Sequence, residues 1–119
     1  MITTLQKNQV FVFGSNLAGF HGAGAARQAF EEFDAELGIG EGLVGNTYAL
    51  PTLDRALQKR TDEDLTRSIQ TFFAAALRNP DKQFLLTKVG CGIAGYDEHY
   101  IRAKFKDAPA NVILPEDWR

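Results

Sequence analysis

The chain reads as an α/β domain, a three-layer sandwich with a mainly parallel or mixed central sheet, and two observations lead there. Short β-branched and aromatic runs alternate along the chain with stretches of helical periodicity. Such alternation closes through right-handed crossovers into a parallel sheet covered by helices on both faces. All eleven glycines also fall in three clusters, at 14–24, 38–45 and 90–95. The first and last directly follow predicted strands, at the carboxyl ends where the ligand crevice of such sheets lies.

The elements follow in order. Gln9 to Phe13 is an apolar run ending at Gly14, the pattern of a buried strand that stops in a loop. Ala26, Phe30, Phe33 and Leu37 recur at helical spacing, with Arg27, Glu31, Glu32 and Glu36 between them and Gly38 where a C-terminal cap belongs. A glycine-rich connector, Gly38 to Gly45, leads into a second strand, Asn46 to Leu50, closed by Pro51. After a turn through Thr52 to Arg60, Thr61 caps a helix whose first turn carries Asp62, Glu63 and Asp64. Its apolar face is Leu65, Ile69, Phe72, Phe73, Ala76 and Leu77, and Asn79-Pro80-Asp81 ends it. Gln83 to Val89 is the third strand, running into Gly90. Asp97 caps a short helix that buries Ile101 and Phe105, and Asn111 to Leu114 is the last strand.

Composition bounds what such a domain does. A chain of 119 residues and 13.2 kDa, with 45% hydrophobic and 24% charged residues, is expected to fold as one domain over residues 1–119. A net charge of -2 and a pI near 5.6 give no broad field for neutralising phosphates, so general nucleic-acid binding is not expected. One cysteine and two histidines far apart in sequence offer no disulfide and no metal-ligand spacing. We expect no metal, no cofactor and a reducing, cytoplasmic setting. No run approaches the roughly 20 apolar residues of a membrane span, so no membrane association is expected.

The chemistry concentrates in the outer glycine clusters. Gly14-Ser15-Asn16 and Gly22-Ala23-Gly24 join a strand to a helix that begins with small residues, which brings bare amides and a helix N-terminus to a ligand. Gly90, Cys91, Gly92, Ile93, Ala94, Gly95 and Tyr96 repeat the arrangement at another strand end. Together they could clamp a diphosphate from two sides, or each could be a close-packed turn. Tyr96 could stack on a sugar or base, or pack. Asn16 could orient a ribose hydroxyl or close its own turn. His21 and Asp97 are the acid/base candidates, with an exposed loop histidine and a helix cap as the plainer alternatives. Cys91 is read as a small residue in a tight turn rather than a nucleophile. The literal G-x-G-x-x-G at Gly40 to Gly45 leaves a helix and enters a strand, the reverse of a dinucleotide fingerprint, so it is read as a flexible or ligand-covering loop. No P-loop motif occurs, and the basic cluster Arg55, Lys59, Arg60 and Arg67 is read as a solvated face.

The order of a strand, Asn16, Gly22-Ala-Gly24-Ala-Ala, the strand Thr47-Tyr-Ala-Leu-Pro51, a helix, and Phe84-Leu-Leu-Thr-Lys-Val-Gly-Cys-Gly-Ile-Ala-Gly95 resembles the macrodomains, which bind ADP-ribose. It is most similar to their branch containing the terminal ADP-ribose protein glycohydrolase, and the likeness runs from about Val10 to Leu114. The resemblance implies a macrodomain-like fold and a small-molecule nucleotide ligand of the ADP-ribose kind, with an ADP-ribosylated macromolecule as a further partner. It makes Gly22 to Gly24 part of one phosphate-side loop and Gly90 to Tyr96 the loop around the diphosphate and distal ribose, with Asn16 near that ribose. That branch uses a lysine just after its second strand and an aspartate after Gly-Cys-Gly-Leu. Thr52 or Leu53 and Ala94 stand there instead, so its lysine-adduct chemistry does not carry over. The chain is also short for the family, and the early aspartate that holds adenine has no clear match. Binding of ADP-ribose or a related NAD-derived nucleotide is the expected function. Hydrolysis of an ADP-ribosyl or phosphate ester bond, through His21 or Asp97, would make it an enzyme. A non-catalytic nucleotide sensor or sequestering module, and a structural or interaction protein, are the alternatives.

Overall fold

The apolar run near the head of the chain becomes the middle of the sheet. In the computed structural model, which describes residues 2–119, it is strand β1 (Gln9–Asn16). There follow α1 (Gly24–Glu32), β2 (Gly42–Val44), β3 (Thr47–Leu53), α2 (Asp62–Arg78), β4 (Gln83–Leu86), α3 (Glu98–Lys104), β5 (Val112–Ile113) and a closing 3-10 turn, Glu116–Trp118. The five strands form one sheet in the order β2-β3-β1-β4-β5. β1 pairs in parallel with both β3 and β4, and β4 with β5, while β2 alone runs antiparallel, against β3. The α/β class expected from the alternation is the one found, with a mixed sheet.

A strand flanked on both sides and covered on both faces must be apolar at every position. β1 meets that demand from Val10 to Phe13: Val10 and Val12 join one core with Tyr48, Leu50, Phe72, Phe84, Ile101 and Phe105. Phe11 and Phe13 join the other, with Ala26, Ala29, Phe33 and Ala49. The alternation of side chains along the strand therefore separates α2 and α3 on one face from α1 on the other, giving three layers. Phe72 sits at the centre of the larger core, its ring 4.8 Å from that of Tyr48 and 5.8 Å from that of Phe84. Both helix caps expected from sequence form: the Thr61 hydroxyl accepts from the Asp64 N–H at 3.1 Å, and the Asp97 carboxylate from the Tyr100 N–H at 3.0 Å.

Several boundaries differ from the sequence reading. β1 continues through Gly14 to Asn16. α1 ends at Glu32, not near Leu37, because Asp34 takes a left-handed φ of +67° and the Ala35 N–H turns back to the Ala29 carbonyl at 3.0 Å. A short polar side chain tolerates that conformation. Gly38 is therefore not a cap. It packs against Gly19, where a Cβ would collide with it, and its N–H bonds the Gly19 carbonyl at 3.0 Å. The Gly38–Gly45 connector holds strand β2, turned into β3 by Gly45-Asn46 with Gly45 at φ +57°. Pro51 does not close its strand: β3 runs on to Leu53, with a register shift opposite Ser15 and Asn16. β4 stops at Leu86 rather than Val89, and β5 is two residues long.

Candidate functional site

β1, β3 and β4 run the same way, and their carboxyl ends open together onto a cleft of about 850 Å³. This is where a crevice is expected in an open α/β sheet. Gly14, Ser15 and Asn16 contribute the end of β1, Thr52 and Leu53 the end of β3, and Val89 and Gly90 the segment after β4. The chain from Gly22 to Ala26 and the loop residues Gly92 to Ala94 also line it, as do Leu57, Gln58 and Lys59.

Glycine is needed where these segments meet. A Cβ at Gly90 would lie 2.9 Å from Tyr96 Cδ2, and its φ of +76° is in the left-handed region that side chains avoid. The β4–α3 loop closes on itself through Cys91 N–H to Lys88 O at 3.2 Å, Gly95 N–H to Gly92 O at 3.0 Å and Tyr96 N–H to Gly90 O at 2.9 Å. Among the described residues, none accepts a hydrogen bond from the Gly92, Ile93 or Ala94 N–H. The other amide source is the start of α1. Its N-cap, Ala23, supplies no capping side chain, and its first turn carries no acidic residue, so the positive end of the helix reaches the cleft uncapped. The two loops leave the sheet toward opposite faces, since α1 and α3 belong to different cores.

The expected site residues divide accordingly. Gly14, Ser15, Asn16, Gly22, Ala23, Gly24, Gly90, Gly92, Ile93 and Ala94 come together around the cleft. Ser15 is buried, its hydroxyl donating to the Gly40 carbonyl, and the Asn16 amide closes its own turn, donating to Phe20 O at 2.9 Å and accepting from Phe20 N–H at 3.0 Å. Cys91, Gly95 and Tyr96 are not among the lining residues. Burial, together with the nearby Glu98 carboxylate, pushes the Cys91 thiol pKa up, which keeps it protonated. The Tyr96 hydroxyl donates to Thr52 O at 2.8 Å and accepts from the Arg60 N–H at 2.9 Å, while its ring stacks on Tyr100 at 6.1 Å. Tyr96 therefore ties the end of β3 to the β4–α3 loop.

His21 and Asp97 do not line the cleft either. His21 is 4% exposed, edge-on to the Phe13 ring at 5.2 Å, with Nε2 2.8 Å from Glu36 O and Nδ1 without a partner. It packs in the layer of α1. Asp97 caps α3. The Gly40–Gly45 segment lies outside the lining as well, because Gly40 packs behind the end of β1, where a Cβ would collide with the Asn16 carbonyl.

Several lining residues were not anticipated. Asp54 holds the β3–α2 connection in a tight turn, its carboxylate accepting from Ala56 and Gln58 N–H at 2.9 and 3.0 Å, and a bridge pairs Leu53 with Lys59. This return brings Leu57, Gln58 and Lys59 to the strand ends. The legible signal was Asp54, a side chain that closes such turns. Phe20, Leu57 and Ile93 are 63%, 48% and 81% exposed and give the mouth apolar side chains from three different loops. Among the described residues, the lining holds no carboxylate, histidine or thiol, and its titratable side chains are Lys59 and Lys88. Such an arrangement can hold an anion by backbone dipoles and ammonium groups.

No protein-family model, curated protein or solved structure matches the chain at a significant level. No helix among the described residues is long and apolar enough to cross a membrane, and no three metal-ligating side chains cluster among them.

Proposed function

We propose that this domain binds ADP-ribose or a related NAD-derived nucleotide, the ligand class that the likeness to macrodomains implies, with the diphosphate held between the first turn of α1 and the Gly92–Ala94 amides. One observation carries the reading: two sets of amides without acceptors, from loops leaving opposite faces of the sheet, line one cleft at the ends of parallel strands. Its volume of about 850 Å³ lies within the range of small-molecule sites. The bare glycines let a phosphate approach the backbone closely. The exposed apolar side chains at the mouth suit a nucleotide, free or attached to a macromolecule.

The same lining favours a sensor or sequestering module over a hydrolase, because among the described residues it holds no carboxylate or imidazole to activate water. Calorimetry with ADP-ribose, with AMP and ribose 5-phosphate as controls and chromatography of the mixture, tests both readings. Saturable heat with ADP-ribose, weaker with the controls and without conversion, is the expected result. Conversion would restore the hydrolase reading, and His21→Ala and Asp97→Ala would then show whether either residue contributes to the rate. No heat with any of the three would overturn nucleotide binding in favour of a packing or interaction role.

A further inference from the structure

Among the described residues, two side-chain ammonium groups line the cleft, and their surroundings differ. Lys88 Nζ lies 2.8 Å from Glu98 Oε1 and 2.6 Å from Asp117 Oδ2. Glu98 also accepts from Trp118 Nε1 at 2.8 Å, which ties this cluster to the closing 3-10 turn. Two carboxylates around one ammonium leave no net positive charge for a ligand. Their hydrogen bonds hold the Lys88 pKa above its ordinary value, so the lysine stays charged but neutralised.

Lys59 makes no ion pair among the described residues. Its Nζ donates to the Gly95 carbonyl at 3.1 Å and stands 5.2 Å from the centroid of the Tyr96 ring. Neither partner carries a charge, and an ammonium has three donors, so most of its capacity is open. Its backbone is fixed by the bridge to Leu53, and the loop it touches is fixed by the Tyr96 hydroxyl. A full positive charge is thus held at the Gly92–Gly95 turn, whose Gly92, Ile93 and Ala94 amides lack acceptors.

We infer that Lys59 is the charged half of an anion subsite in the cleft, gripping the phosphoryl group on the Gly92–Ala94 side and selecting ligands with a diphosphate over monophosphates. The start of α1 offers partial charges on one side of the cleft, and Lys59 a full charge on the other. A ligand that uses both carries two linked phosphoryl groups. The inference rests on the nucleotide reading for the ligand's identity, but the subsite itself can be tested without a nucleotide.

The test is calorimetry of inorganic pyrophosphate and ADP-ribose at low and high salt, on the wild-type chain, Lys59→Gln, Lys59→Arg and a remote charge control, Arg78→Gln. Lys59→Gln is expected to weaken both ligands on the order of tenfold and to flatten their salt dependence. Lys59→Arg should recover most of the loss, and Arg78→Gln should behave as wild type. Unchanged affinity in Lys59→Gln, with ADP-ribose still saturating the wild-type chain, would overturn the subsite and leave the nucleotide reading standing. Pyrophosphate bound through Lys59 without binding of ADP-ribose would support the subsite and overturn the nucleotide. A loss in Lys59→Gln that keeps the wild-type salt dependence and is not recovered by arginine would mean the lysine acts only by bracing Gly95, and would overturn the inference. Neither ligand binding the wild-type chain would overturn both.

Discussion

A Cβ placed on Gly14 would lie 3.1 Å from the Gly90 amide nitrogen, so the end of β1 and the loop after β4 meet backbone to backbone beneath the cleft. A side chain at Gly14 would press on the Gly90 backbone, whereas one at Gly90 would meet Tyr96 and Thr52. Tyr96 packs on the other side of Gly90, its Cδ2 2.9 Å from where a Gly90 Cβ would stand.

Gly90→Ala should therefore cost roughly 1–3 kcal/mol, from left-handed strain and the collision with Tyr96 and Thr52. Gly92 has open space within 4 Å of its Cβ position. Gly92→Leu should keep the melting temperature within a few degrees of wild type yet weaken ADP-ribose by filling the cleft. Thermal melts paired with calorimetry separate the two effects.

Tyr96→Phe removes both the donor to Thr52 O and the acceptor of the Arg60 N–H. A loss of about 1–3 kcal/mol is expected, because the Arg60 N–H would be left without its partner in a half-buried place. Hydrogen exchange should speed up at Arg60 and along the Gly90–Tyr96 loop before it does in β1.

Phe72→Ala should be among the most costly single changes, at about 3–5 kcal/mol, since it empties the contact among Tyr48, Phe84 and α2. Urea unfolding would show a lower midpoint with an unchanged slope. A loss below about 1 kcal/mol would mean that this core is not packed as described.

Burial pushes the Tyr48 hydroxyl pKa up to about 12, from the ordinary value of 10.0. Between those values the unfolded chain loses the proton first, so the folded state binds more protons and stability falls as pH rises. The loss should approach roughly 2–3 kcal/mol by the upper end of that window. Tyr48→Phe should remove that part of the alkaline slope, as followed by denaturant midpoints across the range.

Much of the fold was legible because local signals and tertiary demands agree. Val10 to Phe13 reads as a buried strand and is the sheet's centre, and Thr61 and Asp97 read as caps and are caps. The misreadings occur where a short residue does a glycine's work or a distant contact decides. Asp34 ended α1 before Gly38 could, and the Gly45-Asn46 pair turned a presumed connector into a hairpin. Asp54 folded a turn back so that Lys59, placed on a solvated face by its basic neighbours, reached the strand ends. Of those neighbours, Arg60 instead supports the frame, donating to Pro51 O at 3.2 Å and Ser68 Oγ at 2.5 Å. The glycine clusters marked both amide loops, but nothing local in the sequence revealed that His21 packs under Phe13, away from the cleft.

The most direct test of the central claim is an amide chemical-shift titration of the labelled protein with ADP-ribose. The largest shifts are expected at Gly24, Ala25 and Ala26 and at Gly92, Ile93 and Ala94, saturating together with one affinity. Shifts confined to one of these loops, or centred elsewhere on the molecule, would contradict a diphosphate held between them.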